Sequence, residues 1–501
     1  MRIDRRDFLG SSLAAWGAAG IASSPGGAAA APALQGAAAA SGRAASTTPL
    51  SRQFARWVAG LRYDDLPAAV VDRIKGLTLQ NIASALVGSR LPAGQQAVAF
   101  VVAEETGVRS GATILVDGGR VTRGGAAFAN SEMMLAGGKW DTFRMLTHPG
   151  TAIIPAALAA AEAEGASGRE FITAVAAGYE VMERMAADWI PTVMARGFHA
   201  GPVFSIFGAA VAAAKIHRFS DEQIHAAISL CTNLAGSNLE SRALREGAAV
   251  RNALLAVALA KQGKVGGGEA VLEGPAGFYR AYAGDNTGRL TFSFAGATDT
   301  SLDKLTANLG TEWTLLETLY RIYSVAGYNI AHIDVTARLC EERNIRYEDV
   351  DRVEAVVNWL ETQYPSPAFP QRREDVGEAA RGSTRYYSAW GVVRRGFPML
   401  AVTADPPEVL DLMKRVTIVP SHDMPLFAPR ITIFTKDGRS HTKQATGREF
   451  IWNFDEEARR IRAVAPGIPI PANQFDDLIA ACRTLDARER ADVLVRLTLK
   501  P

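Results

Sequence analysis

The sequence predicts a mainly α protein: an all-helical domain built from both chain ends, with a smaller α+β lid domain inserted between them. Three observations predict it. From Pro49 to about Gly274, apolar residues recur at helical spacing between Gly, Pro and Asp punctuation. After roughly Thr311, short β-branched runs appear that alternate imperfectly. The chain's last stretch, with Phe454, Ile461, Leu478, Ile479 and Leu494 at helical intervals, returns to helix.

At the N-terminus, Asp4-Arg5-Arg6-Asp7-Phe8-Leu9 sets two arginines before an apolar pair, and an Ala/Gly-rich run reaches about Ser23. With the small-residue site Ala31-Pro32-Ala33, this is the layout of a twin-arginine export signal over 1–33. The expected location is periplasmic, or otherwise outside the cytoplasm. The apolar run is shorter than the roughly 20 residues that cross a bilayer, so no stable membrane insertion is expected. An Ala-rich spacer fills 34–47, and folding starts near Thr48. What remains is too long for one core, which gives a helical domain over 48–315, a lid over 316–447 and completing helices over 448–501.

Within the first domain, a helix begins after Pro149, runs through Ile153, Ile154 and Leu158, and stops at Gly165. The next is announced by Ser167-Gly168-Arg169-Glu170, where the serine caps the following amides. Gly208-Ala209-Ala210 and Ala212-Ala213-Ala214 let neighbouring helices approach closely. In the lid, Val350 to Val357 and Val416 to Val419 read as strands, and Arg430 to Gly438 as strand then turn.

The net charge of +2, with no basic run, makes nucleic acid an unsuitable partner. Cys231, Cys340 and Cys482 are odd in number and far apart, which gives neither a disulfide framework nor a metal site; they read as buried apolar residues. Gly266-Gly267-Gly268 lacks the context of a phosphate loop and reads as a turn.

Several segments follow one another in a specific order. They are Trp140-Asp141-Thr142, Thr147-His148-Pro149-Gly150, Glu164 to Arg169, Ala177-Gly178-Tyr179-Glu180-Val181, Arg196-Gly197-Phe198-His199, Phe207-Gly208-Ala209-Ala210 and Leu272 to Phe278. In this order and spacing the chain resembles the MmgE/PrpD family, which includes 2-methylcitrate dehydratase, cis-aconitate decarboxylase and iminodisuccinate epimerase. The resemblance implies a cleft between the helical domain and the lid that handles a polycarboxylate, and a homodimer.

Carried over by position, the family's two histidines are His148 and His199. Its Asp-Phe-Asp-Asp-Thr stretch falls on Gly138-Lys139-Trp140-Asp141-Thr142, so only the last Asp-Thr pair survives. The family's Thr-Lys-x-Leu-His segment falls on Ser241-Arg242-Ala243-Leu244-Arg245, and a second lysine, at the lid entrance, on Arg321. Ala326 stands where the decarboxylase has histidine, and a lid tyrosine corresponds to Tyr364.

Elimination, decarboxylation and epimerisation next to a carboxylate share an enolate-like intermediate. They need a base, an acid and cations that stabilise the growing charge, and in principle no metal or organic cofactor. His148 and His199 are the natural proton carriers; the helix opening after Pro149 is expected to depress His148 through its positive end. Asp141 orients a histidine or binds a substrate hydroxyl, or else it is a solvent-facing residue before a turn. Thr142 donates a hydrogen bond. Arg242, Arg245 and Arg321 grip carboxylates where lysine could have carried protons, the alternative being ordinary ion-paired arginines. Tyr179 reads as helix packing, His217 and His225 as helix-surface residues, and His332, His422 and His441 as lid or loop residues. The resulting expectation is a cofactor-independent lyase, of dehydratase or decarboxylase type, acting on a small di- or tricarboxylate or hydroxy acid. An epimerase on a similar substrate and an exported, non-catalytic carboxylate-binding protein are the alternatives.

Overall fold

In the computed structural model the residues described are 48–108, 110–241, 243–263, 268–323, 325–362, 383–398 and 404–501. The expected export signal, the spacer, Gly266 and Gly267 lie outside them. Ser46–Pro501 forms one compact unit.

The first half is a layered helical array. Its members are α1 (Leu50–Gly60), α2 (Ala68–Gly88), α3 (Pro92–Glu105), α4 (Arg123–Gly137), α5 (Gly150–Glu164), α6 (Gly168–Ala186), α7 (Ile190–Ala195), α8 (Ala200–Ile216), α9 (Asp221–Leu234), α10 (Arg245–Lys261) and α11 (Phe278–Tyr282). One small hairpin, β1 (Ala112–Thr113) with β2 (Arg120–Val121), interrupts this otherwise helical part.

The helix ends follow local chemistry. α5 starts after Pro149 and ends at Gly165, which adopts φ 64°, a left-handed conformation that suits a residue without Cβ. α6 starts at a reciprocal capping box: Glu170 N–H donates to Ser167 Oγ, and Ser167 N–H donates to the Glu170 carboxylate at 2.8 Å. α8 lies at the centre, packed against α5, α6 and α10, and its Ala- and Gly-rich surface is buried nearly all round. Gly178 of α6 and Gly208 of α8 face each other so closely that a methyl group on Gly208 would stand 2.7 Å from the Gly178 carbonyl oxygen.

The second half holds α12 (Gly327–Glu342), α13 (Thr384–Arg394) and α14 (Pro407–Met413), with strands β3 (Val350–Asn358), β4 (Val416–Ser421), β5 (Arg430–Thr435) and β6 (Ser440–Gln444). The sheet order is β4-β3-β5-β6. β3 pairs parallel with β4 and antiparallel with β5, in register Val353 with Val416 and Val353 with Ile433. A parallel pair needs a long crossover, and α13 and α14 lie on the chain between the two strands. α12 and α13 pack together, α12 touching β5 and β6 and α13 touching β3 and β4.

The chain then returns. α15 (Phe454–Ile461) and α16 (Ala472–Arg483) both pack on α2, and α17 (Val493–Arg496) follows. The helical array is thus built from both chain ends around the inserted sheet. No helix among the described residues is long and apolar enough to cross a membrane. The three cysteines are free and buried, as their spacing predicts.

Two histidines, His217 and His225, sit differently from the helix-surface reading above. His225 is buried, His217 has a nearly inaccessible side chain 2.8 Å from Glu164, and His332 is fully buried on α12, its Nδ1 3.0 Å from Ser388 Oγ. His441 is part of β6, whereas His422 is exposed beyond β4, stacked on Trp359. Packing of the helices against neighbours, which their own periodicity does not reveal, accounts for the buried ones.

Candidate active site

Three remote stretches meet where the sheet-bearing part joins the helical array. The segment after α4 turns out of the helix at Gly138, which adopts φ 69°. Lys139 N–H donates to Ser84 Oγ at 3.0 Å. Thr142 then pairs with Leu319 in both directions, at 3.0 and 2.8 Å, and Tyr320 N–H donates to the Phe450 carbonyl at 2.8 Å. These bonds place Trp140, Thr142 and His148 opposite Arg321.

Asp141 is fully buried, so the solvent-facing alternative fails. Its carboxylate accepts from Tyr179 Oη at 2.7 Å, from Gly150 N–H at 3.0 Å and from Asn81 Nδ2 at 3.3 Å. Burial pushes its pKa up to about 6, against the pull of these donors. Tyr179 is therefore more than packing: it is one of the donors that make this buried acid tolerable. Asp141 does orient a histidine, but through its main chain, since His148 Nδ1 lies 3.0 Å from the Asp141 carbonyl oxygen.

That contact fixes the tautomer of a neutral His148. A carbonyl only accepts, so Nδ1 carries the hydrogen and Nε2 keeps its lone pair. Burial, then the charges of Arg321 and Arg245, hold His148 well below the ordinary imidazole range. The depression anticipated at this residue is present, with burial and two guanidinium groups as its leading causes. The ring also meets Trp140 edge-on, with centroids 4.0 Å apart.

A cavity of about 120 Å³ opens here. Thr142, His148 and Trp140 form one side, Arg245 another, and Arg321, Gly327 and Tyr328 a third, with Phe427 from the sheet-bearing part. Arg321 lies over the Trp140 ring at 4.4 Å and anchors its Nε on the Val325 carbonyl at 2.6 Å. Thr142 Oγ1 is buried without a hydrogen-bond partner among the described residues, on a side chain that lines the cavity. Ala326 also lines the cavity and leaves no titratable group at that position.

His199 is placed one step behind. It caps α8, with Gly201 N–H donating to Nδ1 at 3.2 Å, and its Nε2 is 3.0 Å from Arg245 Nη1. Burial, then Arg245, drive its pKa down to about 3. Arg245 continues to Glu246, whose carboxylate is fully buried with Oε2 3.6 Å from Arg245 Nε. Glu132 on α4 belongs to the same unit; burial first, then Glu246, push it up to about 7. Arg242 and Tyr364 lie outside the described residues. Among the described residues, no group of three or more His, Cys, Asp and Glu side chains is arranged to hold a metal ion.

Sequence reasoning passed over Lys139, Glu132 and Glu246. Lys139 is 3 % exposed, and burial followed by the charge of Arg321 lowers its pKa to about 8. Its one sequence signal was a lysine at an aromatic position of the family's Asp-Phe-Asp-Asp-Thr stretch. The two glutamates gave none.

Comparison with known proteins gives a consistent picture. Residues 52–291 match the MmgE/PrpD N-terminal domain. The chain is 26% identical to a cis-aconitate decarboxylase-like protein of Aspergillus oryzae, over 58% of this chain and 61% of that protein. It is 26% identical to a cis-aconitate decarboxylase of Aspergillus terreus, over 79% and 84% of the two chains. The human cis-aconitate decarboxylase is 24% identical over 90% of this chain and 95% of its own.

Proposed function

Because the chain belongs to the MmgE/PrpD family, we propose that it is a lyase acting on a small di- or tricarboxylate, by proton transfer at the carbon next to a carboxylate. The observation that carries this reading is the His148 arrangement. Its Nδ1–H is committed to the Asp141 carbonyl, while the lone pair of Nε2 remains on a ring that lines a cavity walled by Arg245 and Arg321. A neutral base beside two permanent cations suits abstraction of a proton whose loss places charge on a carboxylate.

In a dehydration, Nε2 of His148 takes the carbon-bound proton, the C–O bond breaks, and the hydroxyl leaves as water with a proton from an acid. In a decarboxylation, the reaction named for the relatives, CO2 leaves instead and a proton is returned to carbon. Arg321 and Arg245 would hold carboxylates in both cases. A non-catalytic carboxylate-binding role is the second reading, favoured by one observation: Arg245 covers His199 Nε2 and removes a proton carrier from the cavity. Export through the twin-arginine route and pairing of two copies belong to the same proposal, read out by N-terminal sequencing of exported protein and by light scattering.

Proton NMR in D2O with cis-aconitate, hydroxy di- and tricarboxylates and amino-substituted succinates tests the proposal. Exchange next to a carboxylate, or a new vinyl signal, is expected. Both should vanish in His148→Gln with folding verified by circular dichroism. Saturable binding without exchange by any compound would leave the binding reading in its place.

A further inference from the structure

The environment of His199 holds a conflict that one movement resolves. Arg245 Nη1 is an obligate donor aimed at His199 Nε2 at 3.0 Å, and the Gly201 amide is a donor aimed at Nδ1 at 3.2 Å. A neutral imidazole has one lone pair in its plane, so it can accept at one nitrogen only. The charged donor is the stronger of the two, so while Arg245 stands at Nε2 the lone pair stays there, and the hydrogen on Nδ1 opposes the Gly201 amide. If the guanidinium moves off, the hydrogen settles on Nε2, and Nδ1 accepts the cap bond without competition.

Arg245 has somewhere to go and something to turn on. It lines the cavity, so a carboxylate bound there would compete for its guanidinium. Its Nε end faces Glu246, whose two carboxylate oxygens are buried and find no hydrogen-bond partner in other described residues. A buried carboxylate with one cation in reach keeps hold of that cation. Gly201 keeps this carboxylate against the first turn of α8, because any side chain there would collide with Glu246 Oε1.

We propose that Arg245, pivoting on Glu246, couples carboxylate capture to His199: in the empty cavity it covers Nε2, and a substrate carboxylate draws the guanidinium off, so that His199 takes the tautomer with its hydrogen on Nε2. Glu246 is a positioning residue in this device. What the released Nε2–H then does, donating to the reacting substrate, rests on the lyase reading above; the coupling itself does not. It would make the site selective for ligands that carry a carboxylate.

The test is long-range 1H–15N correlation NMR of the full chain labelled in histidine, with His199 assigned by loss of its signals in His199→Gln. Succinate, which offers nothing to eliminate, is the probe, and succinamide is the uncharged control. Succinate is expected to move the His199 Nε2 resonance from the bare to the hydrogen-bearing range, and succinamide to leave it unchanged. In Glu246→Gln, Nε2 should bear hydrogen before any ligand is added, and succinate should bind about tenfold more weakly. Arg245→Met should show the hydrogen-bearing tautomer with and without succinate. Succinate binding that leaves Nε2 unchanged overturns the coupling, as does a failure of succinate to bind at all. Turnover of the cis-aconitate and hydroxy di- and tricarboxylate panel, measured on the same protein preparations, separates the two ideas. A tautomer switch without turnover removes the lyase reading alone, and turnover without a switch removes the coupling alone.

Discussion

Replacing Glu132 by glutamine should stabilise the protein, and by an amount that depends on pH. Glu132 lies against the first turn of α10 beside the Glu246 carboxylate, and its pKa rises from 4.5 to about 7 on folding. Between those values the folded protein binds more of a proton than the unfolded chain, so stability falls as pH rises through the window and levels off above pH 7. At about 1.4 kcal/mol per pH unit, the penalty above pH 7 is about 3 kcal/mol. Glutamine fills the same volume and never ionises, so the variant escapes it. Asp141, Glu361 and Glu457 are also raised by burial, to about 6, 8 and 8, but they are present in both proteins and cancel in the comparison. The assay is thermal unfolding of both proteins from pH 4 to 8.5 at one scan rate, because a chain of this size is compared by midpoint under matched conditions. Allowing roughly 1–2 °C per kcal/mol for a large chain, the variant's midpoint should gain about 3–6 °C on the parent between the acid and alkaline ends. A difference that stays constant with pH, or grows toward acid, would refute the argument that this carboxyl titrates between 4.5 and 7 on account of its burial.

Tyr179→Phe should remove the 2.7 Å donor from Asp141 and destabilise the protein by about 1–3 kcal/mol. The loss should be greater at pH 8 than at pH 5, where Asp141 is more protonated, and thermal midpoints at the two values measure it. Gly208→Ala should press a methyl group onto the Gly178 carbonyl oxygen and the Ile153 side chain, costing about 1–3 kcal/mol or preventing soluble expression. Parallel expression and unfolding of Ala209→Gly, a change at the neighbouring position that adds no volume, provides the control.

What could be read from the sequence was whatever depends on neighbours along the chain. The α5 boundaries follow from Pro149 and Gly165, and the α6 start from Ser167 and Glu170, because capping is satisfied within four residues. The sheet was visible as β-branched runs, although its order and the parallel pairing of β3 with β4 depend on a crossover that local pattern does not encode. The family segments identified His148, Thr142, Arg245 and Arg321, and these do line one cavity. They could not show that Arg245 stands between His199 and that cavity, or that Asp141 acts on His148 through its carbonyl. Glu132 and Glu246 gave no signal, because burial of a charge is decided by which helices meet over it. The histidine of α9, His225, was misjudged for the same reason.

The anchoring of Tyr320 N–H on the Phe450 carbonyl bears on how the protein is made. Arg321, which helps wall the cavity, hangs from a strand-like segment pinned on one side by Thr142 and on the other by a residue synthesised some three hundred positions later. At roughly 5–20 residues per second on the ribosome, the helices around α8 have many seconds to settle before that last anchor emerges. A nascent chain therefore carries a nearly complete helical scaffold before the Arg321 segment has its second anchor. The wall that carries Arg321 gains its last anchor only when the final helices close over α2, so the cavity is the last part of the protein to be completed.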